Sequence, residues 1–107
     1  MLPSRRAERE ALRREFGRLY LVVSKALYEA DPLGLIAIGA PPDEYEPEVG
    51  TVLPRLQEAH SVDGMNRILH EEFIRWFGAD IAGPAELYAP AAQTLWRQWS
   101  QFTKPRR

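Results

Sequence analysis

The sequence contains no cysteine. Disulfide bonds and thiolate metal sites are therefore excluded, and the composition is typical of a protein from a reducing compartment. No stretch approaches the ~20 consecutive apolar residues that a membrane-spanning helix needs, and no apolar segment follows the early arginines as it would in a secretory signal. We therefore expect a cytoplasmic location, with neither export nor membrane insertion.

Catalytic motifs are also scarce. Gly34 and Gly39 are not followed by the residues of a phosphate-binding loop, and the few serines lie at predicted helix caps or within helices. The segment His70-Glu71-Glu72 resembles the start of the zinc-peptidase motif His-Glu-x-x-His, but position 74 is isoleucine, so the second imidazole is missing. We predict no enzyme activity, no catalytic residues, no resident metal and no cofactor, and we interpret His70 as part of a solvated helix face.

The chain is large enough for a single hydrophobic core and too small for two. Its 107 residues are 45% hydrophobic and 27% charged, which is unlike the composition of disordered proteins. We therefore expect one helical domain over residues 1–107, with residues 1–10 and 103–107 projecting from the core or fraying at its ends.

Charge is distributed unevenly along this nearly neutral chain. Residues 1–18 contain six arginines and three glutamates, whereas residues 31–60 contain six acidic residues and one arginine. The last eleven residues contain four basic residues and no acid. The sequence is therefore basic at both ends and acidic in the middle.

Four segments have apolar residues at intervals of three and four, the period of a helix that packs one face against a core. The first runs from about residue 4 to 30, and the second begins at Glu46 and bends at Pro54. The third runs from a capping serine, Ser61, to Gly78, and the fourth begins near residue 84 or 90 and ends near 102. We predict an all-α fold, an irregular bundle of four helices with a long ordered loop between the first and second.

That loop, DPLGLIAIGAPPDEYEPE, covers residues 31–48 and joins an apolar run to an acidic one. An architectural interpretation assigns each residue type a structural role. The Asp31 carboxylate would accept backbone amides, Glu46 would cap the second helix, and the Tyr45 ring would pack on the core. The apolar residues would then fill the gap between helices, namely Leu33, Leu35, Ile36 and Ile38.

A functional interpretation uses the same loop as a surface. Aliphatic side chains beside a row of acids could bind the basic cleft of a protein partner, such as a toxin or an enzyme. On this interpretation the candidate partner-binding residues are Asp31, Leu35, Ile36, Ile38, Asp43, Glu44, Tyr45 and Glu46.

Three alternatives remain open. The loop carboxylates have the oxygen ligands that Mg²⁺ and Ca²⁺ prefer, so they could hold a divalent metal. The arginines of the first segment and the C-terminal tail could bind nucleic acid, although interleaved glutamates make this the weaker expectation. Trp96 and Trp99 are three residues apart in the fourth segment, and one of them could lie at a contact in a homo-oligomer.

The segments DPLG and PPDEYEPEV resemble a group of small bacterial proteins that carry Asp-Pro-Leu/Ile-Gly followed by Asp-Glu-Tyr. The resemblance covers roughly residues 27–77. It implies a small helical domain without established catalytic residues, of a kind in which some members are suspected immunity proteins that accompany toxins. The signature positions here are Asp31, Pro32, Gly34, Asp43, Glu44 and Tyr45. The chain departs from the group at Ala30, where an aromatic residue is common, and at Glu46, where aspartate is commoner.

Overall fold

The computed structural model describes residues 7, 10, 11, 14, 16–41 and 44–102. These residues form helices and turns, and no β-strand occurs among them, so the all-α prediction is confirmed. The α-helices are α1 (Arg18–Ala30), α2 (Glu46–Val52), α3 (Val62–Phe77), α4 (Ala79–Ala82) and α5 (Ala89–Phe102). Two 3₁₀ helices lie at Leu53–Glu58 and Ala85–Tyr88. This part of the chain therefore has five α-helices where four were predicted.

The first predicted helix is interrupted at Gly17. The described residues before it, including Arg14 and Phe16, have helical backbone, but Gly17 itself has a φ of 56°. Such a φ belongs to the region that glycine adopts without steric cost, so α1 starts afresh at Arg18. The predicted start near residue 4 and the projecting segment 103–107 lie outside the described residues.

Pro54 changes the type of helix. The α-helix that begins at Glu46 ends at Val52, and the chain continues from Leu53 as a 3₁₀ helix. Proline has no amide hydrogen, so it cannot close an α-helical hydrogen bond at this point. The predicted bend is therefore a change to the tighter 3₁₀ conformation, and Leu53 and Leu56 still point into the core, each 2% exposed.

The third helix follows its prediction closely. The Ser61 hydroxyl accepts a hydrogen bond from the Gly64 amide at 3.0 Å, and Gly78 ends the helix with a φ of 83°. Phe73 on this helix is fully buried. Trp76 is an exception to the predicted core face, because it is 47% exposed and its indole N–H donates to the Thr51 hydroxyl at 2.9 Å.

The predicted fourth helix, which was expected to begin near residue 84 or 90, corresponds to the 3₁₀ helix Ala85–Tyr88 followed by α5 (Ala89–Phe102). Gly83, with a φ of 72°, separates α4 from the 3₁₀ helix Ala85–Tyr88, which leads directly into α5. Tyr88 and Leu95 are buried as the spacing predicted, and Trp96 and Trp99 are partly buried against the core. Phe102 differs from the prediction, since it is 61% exposed.

The four longer helices surround a single core. Helix α1 packs on α2 and α5, and α3 packs on the same two helices. Among the described residues, no helix is long and apolar enough to cross a membrane.

Candidate functional site

The loop between α1 and α2 begins with an unusual backbone conformation. Asp31 has a φ of 44°, and it is the one described non-glycine residue with a positive φ. Aspartate tolerates this left-handed conformation better than most residues, and the following proline disfavours a further helical turn. The Asp31 amide still bonds to the Leu27 carbonyl at 2.8 Å, so the chain leaves α1 abruptly at this residue.

The Asp31 carboxylate folds the loop back on itself. Its Oδ1 accepts the Ile36 amide at 3.0 Å, and its Oδ2 accepts the Ala37 amide at 2.9 Å. Two backbone bonds complete the turn, from Gly39 to the Ile36 carbonyl and from Ala40 to the Leu35 carbonyl. The architectural prediction that Asp31 accepts backbone amides is therefore confirmed.

Tyr45 connects this turn to the core. Its hydroxyl donates to Asp31 Oδ1 at 2.5 Å and accepts the Leu33 amide at 3.2 Å. Its ring is 2% exposed and lies 5.8 Å from the Phe73 ring. Tyr45 therefore fixes the position of the loop from beneath, and its own ring is covered by the fold.

The Tyr45 hydroxyl and the Asp31 carboxyl group influence each other's ionisation. Burial opposes ionisation of Asp31, but hydrogen bonds from Tyr45 and from backbone amides outweigh it and hold the Asp31 pKa below its usual value. Burial and the bond to the Asp31 carboxylate both raise the pKa of Tyr45. The pair is therefore an ionised carboxylate and a neutral phenol at neutral pH.

The apolar residues of the loop divide into two groups. Leu33, Leu35 and Ile36 are partly buried and pack against the core. Ile38 is 81% exposed, so the expectation that it fills the gap between helices is wrong. This side chain therefore lies at the exposed tip of the turn that Asp31 closes.

The acidic residues of the loop face mainly inward. Glu46 accepts hydrogen bonds from the Tyr20 and Ser24 hydroxyls and so joins α2 to α1, where a helix-capping role was predicted. Glu48 is 2% exposed. Glu44 is partly exposed, and Asp43 lies outside the described residues. Among the described residues, the loop therefore has less acidic surface than its sequence indicates.

A second cluster of charges was not predicted. Arg55 lies among three carboxylates and donates to Glu58 at 3.0 Å, Glu71 at 2.8 Å and Glu72 at 2.8 Å. Glu72 is 1% exposed and also accepts Arg75 at 3.3 Å. The bonds to Glu58, Glu71 and Glu72 raise the Arg55 pKa despite its partial burial. A hollow of about 390 Å³ lies beside this cluster.

This cluster could be found only partly from the sequence. The Arg55–Glu58 spacing of three residues is a familiar intrahelical pair. The two other carboxylates are 16 and 17 residues away, and nothing local indicates that they meet the same guanidinium. Because the buried Glu72 is paired with Arg55 and Arg75, the cluster joins the 3₁₀ helix to α3 without leaving a buried charge unpaired.

His70 also has a structural partner where a solvated position was predicted. Its Nε2 lies 2.9 Å from the Gly83 carbonyl oxygen, and its ring is 5.6 Å from the Tyr88 ring. Within the described part of the chain, no three His, Asp or Glu side chains are grouped so that they could hold a metal ion.

No protein-family model, no curated protein and no solved structure matches the chain.

Proposed function

We propose that this chain is a non-catalytic protein-binding module whose contact surface is the exposed tip of the loop at Ile38, together with Glu44. Immunity-type inhibition of a toxin is the specific form of this activity that we propose. The other predicted contact residues then act as a support that holds the tip in position.

The observation that most strongly supports this proposal is the exposure of Ile38. A branched aliphatic side chain that is 81% exposed gains nothing from the fold itself. If a partner covered it completely, burial of this side chain would contribute about 1.5–3 kcal/mol to binding. Its neighbours Ala37 and Gly39 are exposed as well, so a partner can approach closely.

Rigidity of the support favours binding. A loop that is already held in its bound shape pays little conformational entropy when a partner associates. The Asp31 carboxylate and the Tyr45 hydroxyl fix the backbone on both sides of Leu35, and three aliphatic side chains anchor the loop beneath. Asp31, Tyr45 and Glu46 belong to this support in the proposal, and Leu35 and Ile36 form its apolar underside.

The charge of the region indicates the kind of partner. Asp31, Glu46 and Glu48 are buried or accept hydrogen bonds from this chain, and Glu44 is the partly exposed acid closest in sequence to the tip among the described residues. A partner with a basic surface would therefore approach faster and bind more specifically than a neutral one. A basic surface is expected of a toxin that cleaves nucleic acid.

The experiment uses a pair of matched surface variants. The tagged chain would be co-expressed with the protein products of its neighbouring genes, and co-purification would be measured for wild type, Ile38→Asp and Ile81→Asp. Ile81 is 63% exposed on α4, so it provides a control at a distant exposed isoleucine. We expect a basic protein to co-purify with wild type and Ile81→Asp, and about tenfold less of it with Ile38→Asp.

Glu44→Lys sharpens the test, because it should weaken capture mainly at low salt. The proposal is wrong if the two isoleucine variants capture the same amount of partner, or if no neighbouring product is captured by wild type. Thermal unfolding of each variant verifies that the chain is still folded.

The wider expectations belong to the same proposal. We place the protein in the cytoplasm, where a toxin would act, and regard the four longer helices as an irregular bundle closed at one end by the ordered loop. Metal binding would depend on Asp43 and Glu44, because the other loop carboxylates are buried or accept hydrogen bonds from this chain.

A further inference from the structure

The exposed side chains of α1 all lie on one side of the helix. At about 100° per residue, they fall within an arc of about 100°. Two of them are apolar, with Leu21 56% exposed and Tyr28 42% exposed. The others are charged, and the complete set is Arg18, Leu21, Lys25, Tyr28 and Glu29. Successive steps of three and four between the first four residues are the spacing of a helix–helix contact.

A hollow lies beside this stripe, between α1 and α5. Its volume is about 300 Å³, and Val22 and Ala26 lie among its lining residues. Thr94 and Gln98 of α5 form the opposite wall. The hollow is therefore a groove between two helices, with apolar and small residues along α1 and uncharged polar residues on the other side.

The charges along this groove have no partners within the described part of the chain. Arg18, Lys25 and Glu29 make neither an ion pair nor a side-chain hydrogen bond there. The charges around Arg55 behave differently, because each is paired. Three unpaired charges beside two exposed apolar side chains are the composition of a contact surface with a polar rim.

We infer that this stripe is a self-association surface, on which a second copy of the chain packs its own α1 in the antiparallel direction. A two-fold axis that passes between the two helices, at the level between residues 23 and 24, brings residues equally far from that level face to face. Arg18 of one copy then lies opposite Glu29 and Tyr28 of the other. Leu21 lies opposite Ala26 and the aliphatic part of Lys25.

This register satisfies both the charges and the apolar groups. Each Arg18 gains a carboxylate partner and the face of an aromatic ring, and the symmetry forms each of these contacts twice. Each Leu21 enters the groove of the opposite copy over its smallest residue, Ala26. A parallel arrangement would instead place Arg18 on Arg18 and Glu29 on Glu29, which like-charge repulsion disfavours.

The surface is separate from the loop tip at Ile38. It uses residues 18–29 and the facing side of α5, whereas the proposed partner-binding tip lies beyond the end of α1. Dimerisation would therefore bring two loop tips into one particle, and the inference does not rest on the proposed function.

Sedimentation velocity on the full chain tests the inference with a charge exchange. Measurements over about a 100-fold range of concentration should show a monomer–dimer equilibrium for wild type, because association follows mass action. Arg18→Glu and Glu29→Arg should each weaken dimerisation by about 10-fold or more. The double variant should recover dimerisation, since exchanging the two charges restores every antiparallel pair.

Leu21→Glu and Glu86→Arg complete the set. Leu21→Glu should yield a monomer with unchanged secondary structure, and the exposed Glu86, which does not line this groove, serves as the matched charge-reversal control. A wild-type monomer at the highest concentration would overturn the inference. The groove would then be covered by another segment of the chain or by a different protein. A dimer that ignores the α1 substitutions would overturn it too, and would indicate a contact elsewhere, for example at Trp96 and Trp99.

Discussion

Two connections between helices are each held against the core by a buried tyrosine, but the tyrosine hydroxyls bond to different kinds of acceptor. One is the loop connection, residues 31–45, and the other is the α3–α5 connection, residues 78–88. In each, a buried tyrosine ring packs on Phe73, with ring centroids 5.8 Å away for Tyr45 and 4.9 Å away for Tyr88. The hydroxyl of each tyrosine then donates to a residue earlier in its own connection.

The acceptor is what differs. Tyr45 donates to the Asp31 carboxylate, which also accepts two backbone amides, whereas Tyr88 donates to the Ala82 carbonyl at 2.6 Å. A carboxylate can organise several donors at once, but only while it is ionised. The loop connection should therefore depend on pH and charge in the acid range, and the α3–α5 connection should not.

Phe73→Ala should have the largest effect, because it removes the ring on which both tyrosines pack. Phe73 is fully buried on α3, so we expect a loss of about 3–5 kcal/mol in the free energy of unfolding, measured with urea. Phe77→Ala is the matched control, since Phe77 is only partly buried and its ring lies 5.8 Å from that of Phe73. An equal cost for the two substitutions would contradict a central role for Phe73.

Asp31→Asn should have an intermediate effect that is confined to the loop connection. Asparagine tolerates the left-handed backbone of this position, so the substitution tests the carboxylate and not the turn. We expect a cost of about 1–2 kcal/mol at neutral pH, a range reduced for partial exposure to solvent. Hydrogen exchange of the Ile36 and Ala37 amides should quicken, while exchange in residues 78–88 stays unchanged.

The pH dependence of that cost follows from the Asp31 pKa, which is lower in the folded chain than in the unfolded chain. The unfolded chain therefore takes up the proton first as the pH falls. The advantage of wild type over Asp31→Asn should be complete above about pH 4 and should disappear as the pH falls through the lower folded pKa. An advantage that persisted at strongly acidic pH would show that the carboxylate charge is not the cause.

Tyr88→Phe should have the smallest effect, about 1 kcal/mol, since it removes one neutral hydrogen bond. Burial raises the pKa of Tyr88 from 10.0 to about 12. Its contribution should therefore be constant below pH 10 and should be lost as the pH rises towards 12. Urea unfolding of both proteins across this range measures the difference. A similar decline in acid would remove the contrast between the two connections.

The sequence was informative where its signals were local. Ser61 and Gly78 delimit α3 because a hydroxyl cap and a left-handed glycine act within one turn of the chain. Asp31 could be predicted as an acceptor of backbone amides for the same reason, since its partners are five and six residues away.

Partnerships across the fold could not be read in this way. Glu46 meets hydroxyls 26 and 22 residues earlier, and Arg55 meets carboxylates on another helix. Ile38 has the same aliphatic character as Ile36, and nothing in the sequence distinguishes the exposed residue from the anchored one. The interruption of the helix at Gly17 could not be predicted from the sequence either, because an isolated glycine within an apolar helical pattern is usually tolerated.

By itself, then, the sequence determined the all-α class, the limits of α3 and the turn that starts at Asp31, since periodicity, caps and short hydrogen-bonded rings depend only on neighbouring residues. Tertiary structure alone decided which side chains face solvent and which charges are paired. The packing of α1, α2 and α3 turns most loop acids inward, leaves Ile38 outside and aligns the exposed stripe of α1. Burial and long-range ion pairing depend on which surfaces meet, and no local pattern encodes that meeting.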